Sequence, residues 1–266
     1  MPLHHVVLDF SGTVATITLD HQEVMNALST EMLNSLAEAL DTIAARKDEV
    51  RCVMLTGAGR AFCTGANLQG RGGGAAKNPL RSGAGAALET AFHPVLRLLR
   101  DLHCPIVTAV NGAAAGAGMS VALMGDMVLM ARSAYFLQAF RRIGLVPDCG
   151  STWLLPRLVG RARALELSLM GDKLPAETAL QWGLVNRVVD DTALAAEART
   201  LAEDLASGPT QALGLIRRLY WQSPENSYEQ QLDLERQLQQ QAGATEDFSE
   251  GVTAFLEKRP AKFTGR

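Results

Sequence analysis

Cysteine is scarce in this chain and poorly placed for metal or disulfide chemistry. The four residues, Cys52, Cys63, Cys104 and Cys149, are widely spaced, with no C-x-x-C pair and no histidine at ligand spacing. Neither a structural zinc nor a disulfide framework is indicated, and no metal site is expected. A reducing, cytoplasmic compartment is the simplest expectation. Basic excess is missing too: a net charge of −3 gives no global field to attract nucleic acid. The pairs Arg141-Arg142 and Arg217-Arg218 could meet phosphates locally, but each read singly is solvated helix surface. No uninterrupted apolar run reaches the ~18 residues of a membrane span. Met1-Pro2-Leu3-His4-His5 is not a basic region leading into an apolar stretch, so no leader and no membrane association are expected. The five histidines are scattered and read as surface or packing residues.

What the chain has is apolar bulk. With 47% of 266 residues hydrophobic and 20% charged, it can bury a sizeable core as one large domain, with or without an appendage. Residues 6–10 and 14–19 read as a hairpin around Ser11-Gly12-Thr13. A helix follows, with Ser29 as N-cap, Glu31 at its positive end, and Leu33, Leu36, Leu40 and Ile43 on one face. Strands are expected over 50–55, 106–110 and 127–131, helices over 86–102 and 119–124, and a mobile loop over 70–85. Two strands per helical repeat predict an α/β protein that is closer to a spiral than to a plain doubly wound sheet. From residue 176 the character turns helical, over 193–206, 210–221, 227–241 and 246–257, with Pro209 and Pro224 as breaks. The division expected is a core over 1–200 and a helical region over 201–266 that covers the core or mediates oligomerisation.

Two stretches carry the chemistry. Gly59-Arg60-Ala61-Phe62-Cys63-Thr64-Gly65-Ala66-Asn67-Leu68 and Ala109-Val110-Asn111-Gly112-Ala113-Ala114-Ala115-Gly116-Ala117-Gly118 each place a small-residue turn after an apolar strand. Minimal side chains let main-chain N–H groups approach a ligand closely, so two such turns together would hold an oxyanion. The same glycines would also serve simply to close tight turns. A third stretch, Gly144-Leu145-Val146-Pro147-Asp148-Cys149-Gly150, sets one carboxylate among apolar neighbours. There Asp148 either caps a helix starting near Gly150 or is a base whose pKa burial raises. Asp126, at a strand entry, reads as structural.

Together these residues resemble the crotonase superfamily, the enoyl-CoA hydratase/isomerase family, over nearly the whole chain. The motifs that carry the resemblance are His21-Gln22-Glu23-Val24-Met25-Asn26-Ala27-Leu28, the two turns, Gly125-Asp126 and Ile143-Gly144-Leu145-Val146-Pro147, in that order. The resemblance implies a spiral core with a helical trimerisation tail, in homotrimers that often pair into hexamers. It implies an acyl-CoA substrate and an oxyanion hole made by the N–H groups of Ala66 and Ala117. Coenzyme A, part of the substrate rather than a separate cofactor, would lie against Val24, Thr64, Ala66 and Leu68. Phe263 would add a contact from a neighbouring subunit, and Arg266 keeps the positive charge of the usual tail lysine. Many members have glycine at the second donor position, where this chain has Ala117.

Departures from the family pattern bear on activity. Hydratases in the family use two glutamates, and the matching positions here hold Ser120 and Phe140, a hydroxyl and a phenyl ring. With Asp148 as the remaining acid/base, the resemblance implies an isomerase that moves a 3-ene to a 2-ene. Residues 143–150, 152–157, 231–236 and 251–265 are similar to members that open ring-1,2-epoxides of phenylacetyl-CoA to the oxepin. Hydration by atypical groups and thioester binding without turnover are the alternatives.

Overall fold

The computed structural model describes residues 3–68 and 85–266, so the loop read over 70–85 lies outside the described residues except for Gly85. Strands β1 (Val6–Ser11) and β2 (Val14–Leu19) form the expected antiparallel hairpin, Val6 opposite Leu19 and Ser11 opposite Val14. Three successive units then each send one strand into a large sheet and the next into a small one. They are β3 (Cys52–Gly57) with β4 (Ala61–Cys63), β5 (Ile106–Val110) with β6 (Ala113–Ala115), and β7 (Met127–Ala131) with β8 (Tyr135–Leu137). The small sheet closes with β9 (Lys173–Pro175), antiparallel to β8, and the large one with β10 (Arg187–Val189), parallel to β7. The orders are β1-β2-β3-β5-β7-β10 and β4-β6-β8-β9, the expected spiral.

Helix α1 (Thr30–Ala45) starts where the cap residue predicts: the Met32 N–H donates to Ser29 Oγ at 3.2 Å. Leu33, Leu36, Leu40 and Ile43 are all buried, which stabilises the fold by about 1.5–3 kcal/mol per side chain. The helix expected over 86–102 is a π-helical stretch, Leu88–Phe92, running into α2 (His93–Asp101). Pro94 explains the widening, because it offers no N–H and its ring crowds the carbonyl one turn back. The short helix α3 (Ala117–Ala122) begins two residues before the expected start, with every residue buried. Then come α4 (Ser151–Met170), broken by non-helical Gly160, α5 (Ala176–Gln181) and α6 (Leu194–Ser207). Helix α6 lies across β2, β3, β5 and β7 through buried Ala198, Leu201, Ala202 and Ala206. The tail is α7 (Thr210–Gln222), α8 (Tyr228–Ala242) and α9 (Glu246–Glu257). Among the described residues no helix is long and apolar enough to cross a membrane.

Arg217 corrects the expectation of a solvated helix surface, since it is only 6% exposed. Its Nε donates to Asp126 Oδ2 at 2.6 Å, Nη2 to Leu99 O at 3.1 Å, and Nη1 to Leu102 O. The end of α2 leaves carbonyls without intrahelical donors, and the guanidinium of α7 supplies them. Asp126 also accepts the Ile106 N–H at 2.7 Å, the structural role read from the sequence. Replacing Arg217 with alanine leaves that carboxylate, its side chain 24% exposed, without its charge partner, and the Leu99 and Leu102 carbonyls without their buried donor. We expect the unfolding free energy in urea to fall by about 3–5 kcal/mol.

Candidate active site

Two asparagines hold the site together. Asn26 takes the left-handed conformation (φ 56°), which Asn tolerates better than most residues, and is fully buried. Its Oδ1 accepts the His21 N–H at 2.8 Å, and its Nδ2 donates to Ala58 O at 2.9 Å and Ala61 O at 2.8 Å. Asn111 approaches from β5: its Oδ1 accepts the Gly57 N–H at 3.2 Å, and its Nδ2 donates to Gly59 O at 2.9 Å and Ala61 O at 3.2 Å. Both amides therefore end on the Ala61 carbonyl. Both lie in the sequence motifs, yet their side-chain roles were not read there.

Around this anchor the segment through Val24 runs alongside the first turn. The Thr64 N–H donates to Met25 O at 3.2 Å, as does its Oγ1, and the Leu28 N–H donates to Gly65 O at 2.7 Å. The Asn67 N–H donates to Leu28 O at 2.9 Å, so Leu28 bridges the residues flanking Ala66. In a parallel bridge of this kind the Ala66 N–H points away from Leu28. Val24 and Thr64 are half-buried and Leu68 is exposed, which leaves this strip accessible to a ligand.

The second turn packs directly on the first. The Gly116 N–H donates to Leu137 O at 2.8 Å, and Gly116 (φ 51°, ψ −125°) precedes Ala117, the first residue of α3. A first helical residue has no intrahelical acceptor for its N–H, and among the described residues that of Ala117 meets no other acceptor, which leaves it to a ligand. A β-carbon on Gly65 (φ 93°) would lie 2.8 Å from Ala115 O and 3.5 Å from Ala117 N. One on Gly118 would lie 2.1 Å from Cys63 O. Glycine at these two places lets the turns touch, so the structure brings Ala66 and Ala117 together.

Asp148 follows on the third stretch, where Cys149 (φ 52°) and Gly150 (φ 80°) are both left-handed. Its main-chain carbonyl accepts from Ser151 N at 3.0 Å, Ser151 Oγ at 2.8 Å and Ser120 Oγ at 3.3 Å. Residue 148 is thereby fixed to both α3 and α4. The capping role is overturned: the N-cap position of α4 is Gly150 and no side chain caps it. The carboxyl is instead half-buried, with its Oδ1 shielded from solvent and without a hydrogen-bond partner among the described residues. Burial pushes its pKa up, partly offset by the Cys149 thiol and by the charge of His93. Burial also pushes the thiols of Cys63 and Cys104 up to about 12, so both stay protonated and unreactive.

The ring of Phe140 lies over the second turn, 3.6 Å from where a Gly116 β-carbon would be, with Leu137 buried nearby in β8. His93, not singled out in the sequence, opens α2 and lines a groove of about 980 Å³ together with Cys149, Gly150, Trp153 and Trp221. Phe263 is not joined to its own chain's turns. Its carbonyl accepts from Arg51 Nη2 at 3.2 Å, at the opposite end of β3 from Gly57. The tail is tied there by Asp247, which accepts the N–H groups of Thr264 at 2.7 Å and Gly265 at 2.9 Å.

Comparison with known proteins adds to this geometry. The family model described as enoyl-CoA hydratase/isomerase matches residues 9–266. The chain is 48% identical over 255 residues to the 1,2-epoxyphenylacetyl-CoA isomerase of Escherichia coli K12, covering 95% of each. It is 44% identical to a probable enoyl-CoA hydratase of Rhodobacter capsulatus, covering both chains completely. The crystal structure of an enoyl-CoA hydratase from Bacillus anthracis superposes with a TM-score of 0.91 at 31% identity, over 99% of this chain and 100% of that one.

Proposed function

The chain belongs to the enoyl-CoA hydratase/isomerase family, and from that premise we propose that it is an acyl-CoA isomerase working through a thioester enolate. The observation that supports this most is the half-buried carboxyl of Asp148, its Oδ1 shielded from solvent and without a partner among the described residues, on a stretch pinned to the helix that begins with Ala117. The Ala66 and Ala117 N–H groups polarise the thioester carbonyl, and Asp148 takes an α-proton. The electrons of that C–H bond move onto the carbonyl oxygen, held in the hole. The Asp148 carboxyl then delivers a proton at the γ-carbon, so a 3-ene becomes a 2-ene. For a ring-1,2-epoxide of phenylacetyl-CoA, the substrate in the name of the 48%-identical relative, the same hole and acid/base would assist opening to the oxepin. Phe140 and Leu137 offer the apolar wall that such a ring needs.

Coenzyme A, carried by the substrate, lies along Val24, Thr64, Ala66 and Leu68 in this reading, and no further cofactor takes part. Phe263 reaches it from a neighbouring copy, which suits its distance from its own chain's turns. Exposed apolar side chains on α9, Phe255 at 83% and Leu256 at 74%, favour burial in a homotrimer or hexamer. A hydratase reading has the name of the 44%-identical relative behind it. Against it, the Ser120 hydroxyl is already used on Asp148 O and Phe140 is a hydrocarbon ring.

Product analysis tests the proposal. Purified protein is given a 3-enoyl-CoA, a 2-enoyl-CoA and freshly made phenylacetyl-CoA ring epoxide, and the products are followed by mass spectrometry. Conversion of the 3-ene or the epoxide is expected. A 3-hydroxyacyl-CoA from the 2-ene, with the other two substrates untouched, overturns the isomerase.

A further inference from the structure

A half-buried base whose accepting oxygen is shielded from solvent returns the same proton it took unless some group connects that oxygen with water. Asp148 is such a base. Its Oδ1 is shielded from solvent without a partner among the described residues, and the groove of about 980 Å³ is lined by its neighbours Cys149 and Gly150 but not by Asp148 itself. Across that groove stands His93, the first residue of α2, half-buried and followed by Pro94. Apart from the adjacent Cys149, His93 is the ionisable side chain whose charge acts on Asp148 among the described residues. An imidazole can take up a proton at one ring nitrogen and release one from the other near neutral pH, which an amide or a hydroxyl, far less basic, does not do.

We propose that His93 connects Asp148 to the water of the α2–α4–α7 groove and exchanges the abstracted proton with solvent while the enolate is held in the oxyanion hole. The inference rests on the isomerase reading and says where the proton goes between its two carbon positions. The substrate α-C–H bond breaks and an O–H bond forms on Asp148, the electron pair staying with the enolate. That proton passes to the unprotonated ring nitrogen of His93, and the imidazolium releases its other N–H proton to groove water. The reverse path returns a solvent proton to Asp148, which delivers it to the γ-carbon. His93 acts through Asp148 and makes no contact with substrate in this scheme.

The test reads isotope content per turnover, which does not depend on how fast a variant works. A 3-enoyl-CoA is converted in deuterium oxide and the γ-position of the 2-enoyl product is analysed by mass spectrometry. Wild type is expected to place solvent deuterium there in a substantial share of turnovers. His93→Asn, similar in size but unable to relay, is expected to return the substrate's own hydrogen, with deuterium falling several-fold. Free imidazole added to His93→Ala should restore deuterium, because the groove is large enough to admit it and a merely structural histidine would not be replaced in this way. Equal deuterium in wild type and both variants, or none in wild type, overturns the proposal. Asp148→Asn in the same assay separates the two readings: normal conversion by that variant overturns the isomerase assignment itself.

Discussion

Asp148→Asn should lose isomerisation by about 10²–10⁴-fold in kcat, the range removed with a positioned acid/base. Calorimetry should still find an acyl-CoA bound, because the backbone strip from Thr64 to Leu68 is unchanged. The variant should also be at least as resistant to urea as wild type at neutral pH. Burial raises the Asp148 pKa, so the folded protein holds that proton more tightly than the unfolded chain. The stability from this group is present below the unfolded pKa and is lost as pH rises through the folded one. At neutral pH the charged carboxylate is a cost that asparagine removes. A variant that lost activity together with stability would point to collapse of the stretch instead of loss of a base. The same shift predicts a pH profile. Protonated Asp148 is no base, so kcat/KM should fall with decreasing pH at a value above the ordinary aspartate range of about 3.9. Cys149→Ala removes the thiol that favours the carboxylate and should move this limb to higher pH.

Ala117→Pro should cost about 10²–10³-fold in kcat, the loss typical of one missing oxyanion donor. The substitution is unusually selective. Proline is favoured at the first position of a helix, where its lack of N–H breaks no intrahelical bond, so α3 keeps its start. Gly116 before it has no β-carbon to clash with the ring. Ala117→Gly supplies the control: it retains the N–H and should keep activity within a few-fold of wild type. Equal rates for all three proteins, each checked for thermal unfolding, would remove residue 117 from the chemistry.

Much of this architecture is legible in the sequence, and the parts that are not share a cause. Strands 14–19, 106–110 and 127–131 come out with the expected boundaries because they are long apolar runs in the large sheet. Strands β4, β6, β8, β9 and β10 are three residues each, too short to carry a period, and are defined by the partners they meet. Helix 246–257 is legible because Thr245 caps it, with its Oγ1 accepting the Phe248 N–H at 3.0 Å. In the site, the glycine turns and Asp148 stand out as local patterns. His93 does not, because its relation to Asp148 exists only once α2 and α4 face each other across the groove. Arg217 likewise looks like one half of a basic pair until the ends of α2 and the entry to β7 close around it.

The Ala61 carbonyl, shared by Asn26 and Asn111 at 2.8 and 3.2 Å, has a mechanical consequence. Each asparagine belongs to a segment next to one N–H donor, so this oxygen ties the two segments together in addition to the pairing of β4 with β6. Such a tie restrains the gap between the donors more than it restrains their common position. A hole for one oxygen atom needs that gap more than it needs a fixed position. Asn111→Ala should therefore loosen the gap between the donors, leaving only the β4–β6 pairing and the glycine contacts to hold it, and thioesters that differ only in carbonyl reach should become harder for the site to tell apart.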